Sequence, residues 1–252
     1  MDNVTVVVLT KNEERNIREV VNNAKECSEY VLVVDSGSND NTVAIAESCG
    51  AKVVYRQWDN DFAAQRNFAI NMVKTDWILY LDADERLSAS TIQEIKKVTA
   101  HNAIPYAYEI KREGYAFGQR FKHGSMRPDY VQRLFPTKSV EWVGKVHEHP
   151  ETGLSIRRLK GHLRHYTYES WEQYWNKFNS YTTIWANDAY NRGKKVSYPS
   201  AFGHAVFGFL KITFFDKGIL DGWLGMVMCL NHFMYTLIKY IKLADLYKEH
   251  ER

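Results

Sequence analysis

Trp77-Ile78-Leu79-Tyr80-Leu81 carries no charge and is rich in β-forming side chains, and Asp82, Asp84 and Glu85 follow it directly. An uncharged run of this kind predicts a strand buried on both faces, which demands helices on either side of its sheet. In an open α/β sheet, ligands bind just outside the carboxyl ends of the strands. Asp82 and Asp84 lie two apart, so extended backbone turns both carboxylates toward one point. Two hard oxygen donors suit Mg²⁺ or Mn²⁺, with phosphate oxygens completing the shell. The competing reading is an acidic loop that caps a helix starting at Ser90, with Gln93 three residues on.

The same strand–turn–helix unit recurs upstream. Val4 to Leu9 is a second apolar, β-branched run, and Thr10-Lys11-Asn12-Glu13-Glu14 ends it with polar groups. Ile17, Val20, Val21, Ala24 and Cys27 then mark one face of a helix. Tyr30 to Val34 is the next strand, and it ends in the turn-rich loop Asp35-Ser36-Gly37-Ser38-Asn39-Asp40. Asp40 is placed to cap a helix over 42–49, which Gly50 closes. A third strand over 52–56 and a short helix over 62–72 lead into the acidic strand. Four alternations predict a doubly wound, mainly parallel sheet over residues 1–100.

Three strand ends in this half carry ligand chemistry. Thr10 offers a hydroxyl, Asp35 an acceptor for a base N–H or ribose hydroxyl, and Asp82-Ala83-Asp84 a metal site. The competing reading of Asp35 is that it merely starts its turn. Arg66, on the helix before the acidic strand, has the sign a pyrophosphate needs, or is a solvated surface charge. Neither G-x-G-x-x-G nor G-x-x-x-x-G-K-[ST] occurs, which disfavours dinucleotide dehydrogenases and P-loop enzymes. The formal charge of +3 is too weak to argue for a nucleic-acid partner.

Beyond Thr99 the pattern changes. Short strands are expected over 106–112, 130–135, 140–143 and 162–166, with a basic segment holding Arg112, Arg120, Lys122, His123 and Arg127. That segment reads as a solvated face or as a lid over an anionic ligand. From Trp171 an aromatic stripe through Tyr174, Trp175, Phe178, Tyr181 and Trp185 predicts a long amphipathic helix, with the stripe as core. Two apolar runs follow, from Ala201 and from Ile219 to Ile241, broken by His204, Lys211, Asp221, His232 and Lys239. These interruptions argue against spanning helices, and the bordering lysines and aromatics favour helices lying in a membrane interface. The alternative is a helical hairpin packed on the catalytic domain or against a second subunit. Three scattered cysteines and the lack of a leader pattern lead to the expectation of a cytoplasmic protein on the inner face of the cytoplasmic membrane.

The residues resemble the family-2 inverting glycosyltransferases with the glycosyltransferase-A fold. The resemblance runs through Val-Val-Leu-Thr-Lys-Asn-Glu-Glu (7–14), Val-Val-Asp-Ser-Gly-Ser-Asn-Asp-Asn-Thr (33–42), Gln-Arg-Asn (65–67) and Leu-Asp-Ala-Asp-Glu (81–85). Val-His-Glu (146–148) and the apolar C-terminal part are most similar to the lipopolysaccharide-core β-1,4-glucosyltransferase branch. It implies that Thr10, Glu13 and Asp35 hold the nucleoside, usually a uridine, and that Arg66 faces the diphosphate. Asp82 is implied at the ribose or donor sugar and Asp84 on the divalent metal. His147 is implied as a further metal ligand or a contact to the leaving phosphate, and Glu148 as the general base. The Glu-Asp pair that often supplies the base is not recognisable. The processive Q-x-x-R-W signature is absent too, with Gln132-Arg133-Leu134 only a distant echo, which favours one sugar per encounter.

The implied enzyme is an inverting, metal-dependent transferase that moves a hexose from a nucleotide sugar to a lipid-linked or core saccharide. Residues 1–100 would bind the donor, 101–167 would supply acceptor binding and catalysis, and 168–252 would form a helical, membrane-associating extension. A sugar-nucleotide pyrophosphorylase and a non-catalytic membrane-docked module are the rival readings. The first lacks its Gly-rich basic loop at Thr10-Lys11-Asn12-Glu13; the second leaves three acidic strand ends unexplained.

Overall fold

Strand β1 (Val4–Thr10) has nothing but apolar side chains or threonine, and alternate residues leave it in opposite directions. Val4, Val6 and Val8 enter one core with Val31, Val33, Leu79 and Leu81, whereas Val7 enters another with Leu32, Val34, Ile78 and Tyr80. Helix α1 (Ile17–Cys27) covers the first core with Ile17, Val20, Val21, Ala24 and Cys27. Helix α3 (Phe62–Ile70) covers the second through Ala63 and Ala69. Two covered faces explain why these strands read as continuous apolar runs.

The computed structural model describes residues 3–100, 106–144 and 148–250. The chain divides into two compact units, Met1–Arg112 with Asp129–His165, and Glu113–Pro128 with Tyr166–Arg252. In the first unit, β1 pairs in parallel with β2 (Tyr30–Asp35) and with β4 (Trp77–Asp82), and β2 pairs in parallel with β3 (Lys52–Tyr55). Helix α2 (Thr42–Ser48) lies between β2 and β3, and Gly50 follows it at φ +79°, the left-handed turn expected there. The N-cap of α2 is Asn41 and not the expected Asp40, which lies one residue earlier and accepts the Thr42 N–H at 3.0 Å.

The other half of the sheet is antiparallel, so the sheet as a whole is mixed. A short strand, β5 (Glu85–Leu87), follows the acidic turn, and α4 (Ala89–Thr99) follows β5. The cap of α4 is Ser88, which accepts from the Thr91 N–H, not Ser90. Ser88 leaves β5 with extended backbone, the conformation an N-cap requires. After it come β6 (Ala107–Ala116), β7 (Gln119–Arg120), β8 (Asp129–Pro136), β9 (Glu141–Val143), β10 (His149–Glu151) and β11 (Ile156–Tyr168). The strand order is β3-β2-β1-β4-β8-β6-β11-β5. Strand β11 is much longer than the expected 162–166. Its Gly161 lets α4 come close, since a Cβ there would meet the Thr91 backbone at 2.8 Å.

The second unit is helical. Helix α5 (Trp171–Asn191) starts at a Ser170 cap and follows the aromatic stripe, but the stripe is not all core. Tyr174 and Thr182 are buried, while Trp171, Trp175 and Tyr181 are exposed. Helix α6 (Tyr198–Leu210) and helix α7 (Gly222–His250) are joined by a π turn over 211–215 and a 3₁₀ turn over 218–221. Tyr198 bonds Asp245 and His204 stacks on Tyr240, so α6 and α7 run antiparallel. Among the described residues, no helix is long and apolar enough to cross a membrane.

Candidate active site

Parallel register puts the ends of β1, β2 and β4 side by side: Thr10 pairs with Asp35, and Leu9 with Asp82. The loops that follow are tied together. Asn12 sits at φ +56°, a left-handed conformation that asparagine tolerates, and its backbone N–H bonds the Ser38 hydroxyl while its side-chain Oδ1 accepts the Asn39 N–H. The Glu13 N–H donates to the Thr42 hydroxyl, and the Glu13 carboxylate accepts from Asn16. Asp35 is buried and accepts the Gly37 and Ser38 N–H groups and the Ser38 hydroxyl. It therefore builds its turn, whatever else it binds. The buried Thr10 hydroxyl has no hydrogen-bond partner among the described residues.

Around β4 the geometry is dominated by buried charge. Arg66 reaches from α3 to Asp82 at 2.9 Å and to Glu148 at 3.5 Å, with its guanidinium over the Trp142 ring at 4.6 Å. Its neighbours explain that placement. Gln65 bonds the Arg56 and Gln57 carbonyls, and Asn67 exchanges two 2.8 Å bonds with the Trp142 backbone. The Arg66 Nε and Nη1 have no acceptor among the described residues. Arg133, on β8, bonds Asp82 and Glu85 at 2.6 Å each. Glu85 is fully buried, its carboxylate also accepts the Asp82 N–H, and Arg112 stands 3.8 Å away. Arg86 pins the same turn to α1 by bonding the carbonyls of Ala83, Glu85 and Asn16.

This network fixes charge states. Burial would raise the Asp82 carboxyl, but Arg133 and Arg66 beside it win and hold it well below the usual carboxylate range. Burial and the neighbouring Asp82 charge push Glu85 up, against the pull of Arg133. Asp82 is therefore the firmly ionised member of the pair, and its charge is spent on two arginines.

Asp84 is different. Its side chain is 22% exposed, and Oδ2 stands 3.3 Å from Nε2 of His165. Antiparallel pairing of β11 with β5 puts His165 there, opposite Glu85. Carboxylate oxygen and imidazole nitrogen form a donor pair that fits Mn²⁺ better than the oxygen-preferring Mg²⁺, the remaining positions being left to substrate oxygens and water. Among the described residues no group of three metal-ligating side chains converges. His147 lies outside the described residues. Glu148, just beyond it, leads into β10, is largely buried and is held toward Arg66.

The family model described as glycosyl transferase family 2 matches residues 5–167. The chain belongs to this family. The glycosyltransferase is 30% identical to an uncharacterized glycosyltransferase of Rickettsia typhi, over 98% of the chain and 87% of that protein. It is 23% identical to the lipopolysaccharide core biosynthesis glycosyltransferase LpsC of Rhizobium meliloti, over 98% of the chain and 93% of LpsC. A similar solved structure is glucosyl-3-phosphoglycerate synthase from Mycobacterium tuberculosis, 19% identical, covering 46% of this chain and 45% of that one with a TM-score of 0.35. The family and the mixed α/β sheet give the glycosyltransferase-A fold, followed by a helical C-terminal part.

Thr10, Asp35, Arg66, Asp82, Asp84 and Glu148 of the glycosyltransferase are thus polar or charged groups of one strand-end region. Sequence reasoning missed three partners: Arg133, Glu85 as a fully buried charge, and His165. Arg133 carried a signal, because an arginine inside the apolar run Tyr130 to Phe135 is costly unless paired. His165 carried none, since only the pairing of β11 with β5 brings it to Asp84.

Proposed function

We propose that this glycosyltransferase moves a hexose from a UDP-sugar, with inversion, to a lipid-linked or lipopolysaccharide-core saccharide, one sugar per encounter, and needs a divalent cation. The observation that carries the reading is the pairing of Asp84 with His165 at 3.3 Å beside an otherwise committed set of charges. Asp82 is neutralised by Arg66 and Arg133, whereas Asp84 meets only an imidazole of the described residues' ion pairs. Asp84 and His165 would hold the metal, which when bound would supply Lewis-acid stabilisation of the leaving diphosphate.

The chain's own groups do the rest. Thr10, Glu13 and Asp35 border the nucleoside position; the Thr10 hydroxyl is buried and lacks a partner among the described residues. Arg66 adds positive charge at the diphosphate, with two nitrogens still lacking acceptors. Asp82 orients that arginine and stands nearest the donor sugar or ribose. Glu148 takes the proton of the attacking acceptor hydroxyl, and a single in-line displacement inverts the anomeric carbon. In this reading residues 1–100 bind the donor, 101–167 carry the acceptor side and the base, and 168–252 bring the enzyme to the cytoplasmic face of the membrane. The similarity to LpsC along nearly the whole chain supports a core-saccharide acceptor.

Calorimetry with a panel of nucleotide sugars, with and without Mn²⁺, tests the proposal. Metal-dependent UDP-sugar binding with slow UDP release is expected. Tighter binding of another nucleotide, or full affinity and turnover in chelator, would overturn the donor or the metal assignment.

A further inference from the structure

The helical hairpin of the second unit leaves its most apolar side chains in solvent. At its turn Phe215 is 81% exposed and Trp223 83%, and Phe214 and Leu220 are exposed beside them in sequence. Leu210 and Phe207, four and seven residues before Phe214, extend this surface along α6. The turn under these side chains is closely packed. A Cβ on Gly218 would meet the Cys229 Sγ at 2.6 Å, and one on Gly225 would collide with the backbone of Gly218. Exposed apolar side chains on a packed support mark a contact surface.

Charge decides what covers it. Between Tyr198 and Ile241 the only carboxylates are Asp216 and Asp221. Asp216 is turned to Arg127 at 3.3 Å, and Asp221 accepts the Lys122 and His123 N–H groups and meets the His123 ring at 2.9 Å. Lys211 and Lys217 are exposed, and neither has a carboxylate partner among the described residues. The surface therefore combines large apolar side chains with positive charge alone. A second copy of the chain fits poorly, because a two-fold interface puts the same patch on both sides and brings like charges together. Crossing a bilayer does not fit either, for want of a long enough apolar helix among the described residues.

We propose that the α6–α7 turn is a membrane wedge for an anionic bilayer surface: Phe214, Phe215, Leu220 and Trp223 enter the boundary between headgroups and acyl chains, and Lys211 and Lys217 meet lipid phosphates. The wedge deepens the membrane-surface part of the function proposed above and rests on it. Aromatic residues favour that boundary, and basic residues add affinity for anionic lipids that salt weakens.

Co-sedimentation of the full chain with phosphatidylcholine vesicles, with and without phosphatidylglycerol, tests this separately from donor binding. The wild type should sediment with the anionic vesicles, less so as salt rises. Phe215→Ser with Trp223→Ser should lower partitioning by about tenfold or more, because buried apolar area sets interfacial affinity. Melting temperature and UDP-sugar affinity should stay as in the wild type. Lys211→Gln with Lys217→Gln should remove the preference for phosphatidylglycerol. Should the serine variant misfold, brominated lipids give an independent reading: they should quench wild-type tryptophan emission more than that of Trp223→Phe. No sedimentation by the wild type, equal sedimentation by a folded serine variant, or equal quenching would overturn the wedge. So would a wild-type dimer in buffer that the serine variant dissociates, which would assign the surface to a second copy. A failure here with UDP-sugar binding intact leaves the transferase reading standing; lost UDP-sugar binding with intact sedimentation does the reverse.

Discussion

The strand-end site of the first unit and the helical turn of the second break the inside–outside rule in opposite ways. Around β4, Glu85 is fully buried and Arg66 and Arg133 nearly so, each against an opposite charge. At the α6–α7 turn, Phe215 and Trp223 stand in water. Buried charge costs stability unless every partner is kept, so it marks places where geometry matters more than folding energy. Exposed aromatics cost little in the folded chain and mark places where the missing half of a core is supplied by something else. The contrast makes separable claims. Damage to the first region should destroy chemistry or folding; damage to the second should do neither.

The sharpest way to break the contrast is at Glu148. As the base, Glu148→Gln should lower kcat by about 10²–10⁴ while UDP-sugar affinity barely changes. A variant whose only defect is donor affinity would remove Glu148 from that role. Next comes Asp84→Asn, expected to cost roughly 10²-fold or more in turnover if it helps hold the metal. His165→Ala should act in the same direction and raise the Mn²⁺ concentration needed for half-maximal rate. Since the Asp84 and His165 side chains are each partly exposed, melting temperatures should move little. Near-normal rates for both variants would sink the metal pair.

Stability is the reading at Arg133. Arg133→Met leaves Asp82 and Glu85 without their shared cation and should cost about 3–5 kcal/mol in urea unfolding. Pairing it with Glu85→Leu should recover part of the loss, because the uncompensated buried charge is gone. No rescue would mean that Arg133 matters for packing and not for charge. A smaller effect concerns acid. Asp82 titrates lower in the folded chain than its ordinary 3.8, so its contribution is complete above that pH and fades as pH falls below it. Glu85, pushed up, acts in the opposite sense and loses stability as pH rises through its raised value. Asp82→Asn should therefore flatten the acid side of a melting-temperature profile, and an unchanged slope would refute the assignment. Smallest of all is Phe207→Ser, an exposed position where unfolding should shift by no more than about 0.5 kcal/mol.

Much of the first unit was legible because its signals are local. Apolar β-branched runs at Val4, Tyr30 and Trp77 and the periodic face of α1 each follow from neighbours a few residues away. The turn after Asp35 likewise shows in its glycine and serines, and the structure fills it with the expected hydrogen bonds. Strand β5 was not legible, since three residues beginning with a buried glutamate have no strand pattern. Nor was the exposed part of the α5 stripe: periodicity tells which side chains share a face, not whether anything packs on it.

By itself the sequence determined the alternation of strands and helices, the strand ends where polar groups gather, and the acids Asp82 and Asp84 at the end of β4. It did so because backbone period and turn chemistry are encoded over a few residues. Only the tertiary structure decided that Asp82 and Asp84 differ, one locked between Arg66 and Arg133 and the other facing His165. Arg66 comes from α3, whereas Arg133 and His165 lie 51 and 81 residues away along the chain, brought in by strand pairing between β4 and β8 and between β5 and β11. The charge of a carboxylate is written in the sequence, but what that charge is used for depends on which distant cation the fold sets beside it.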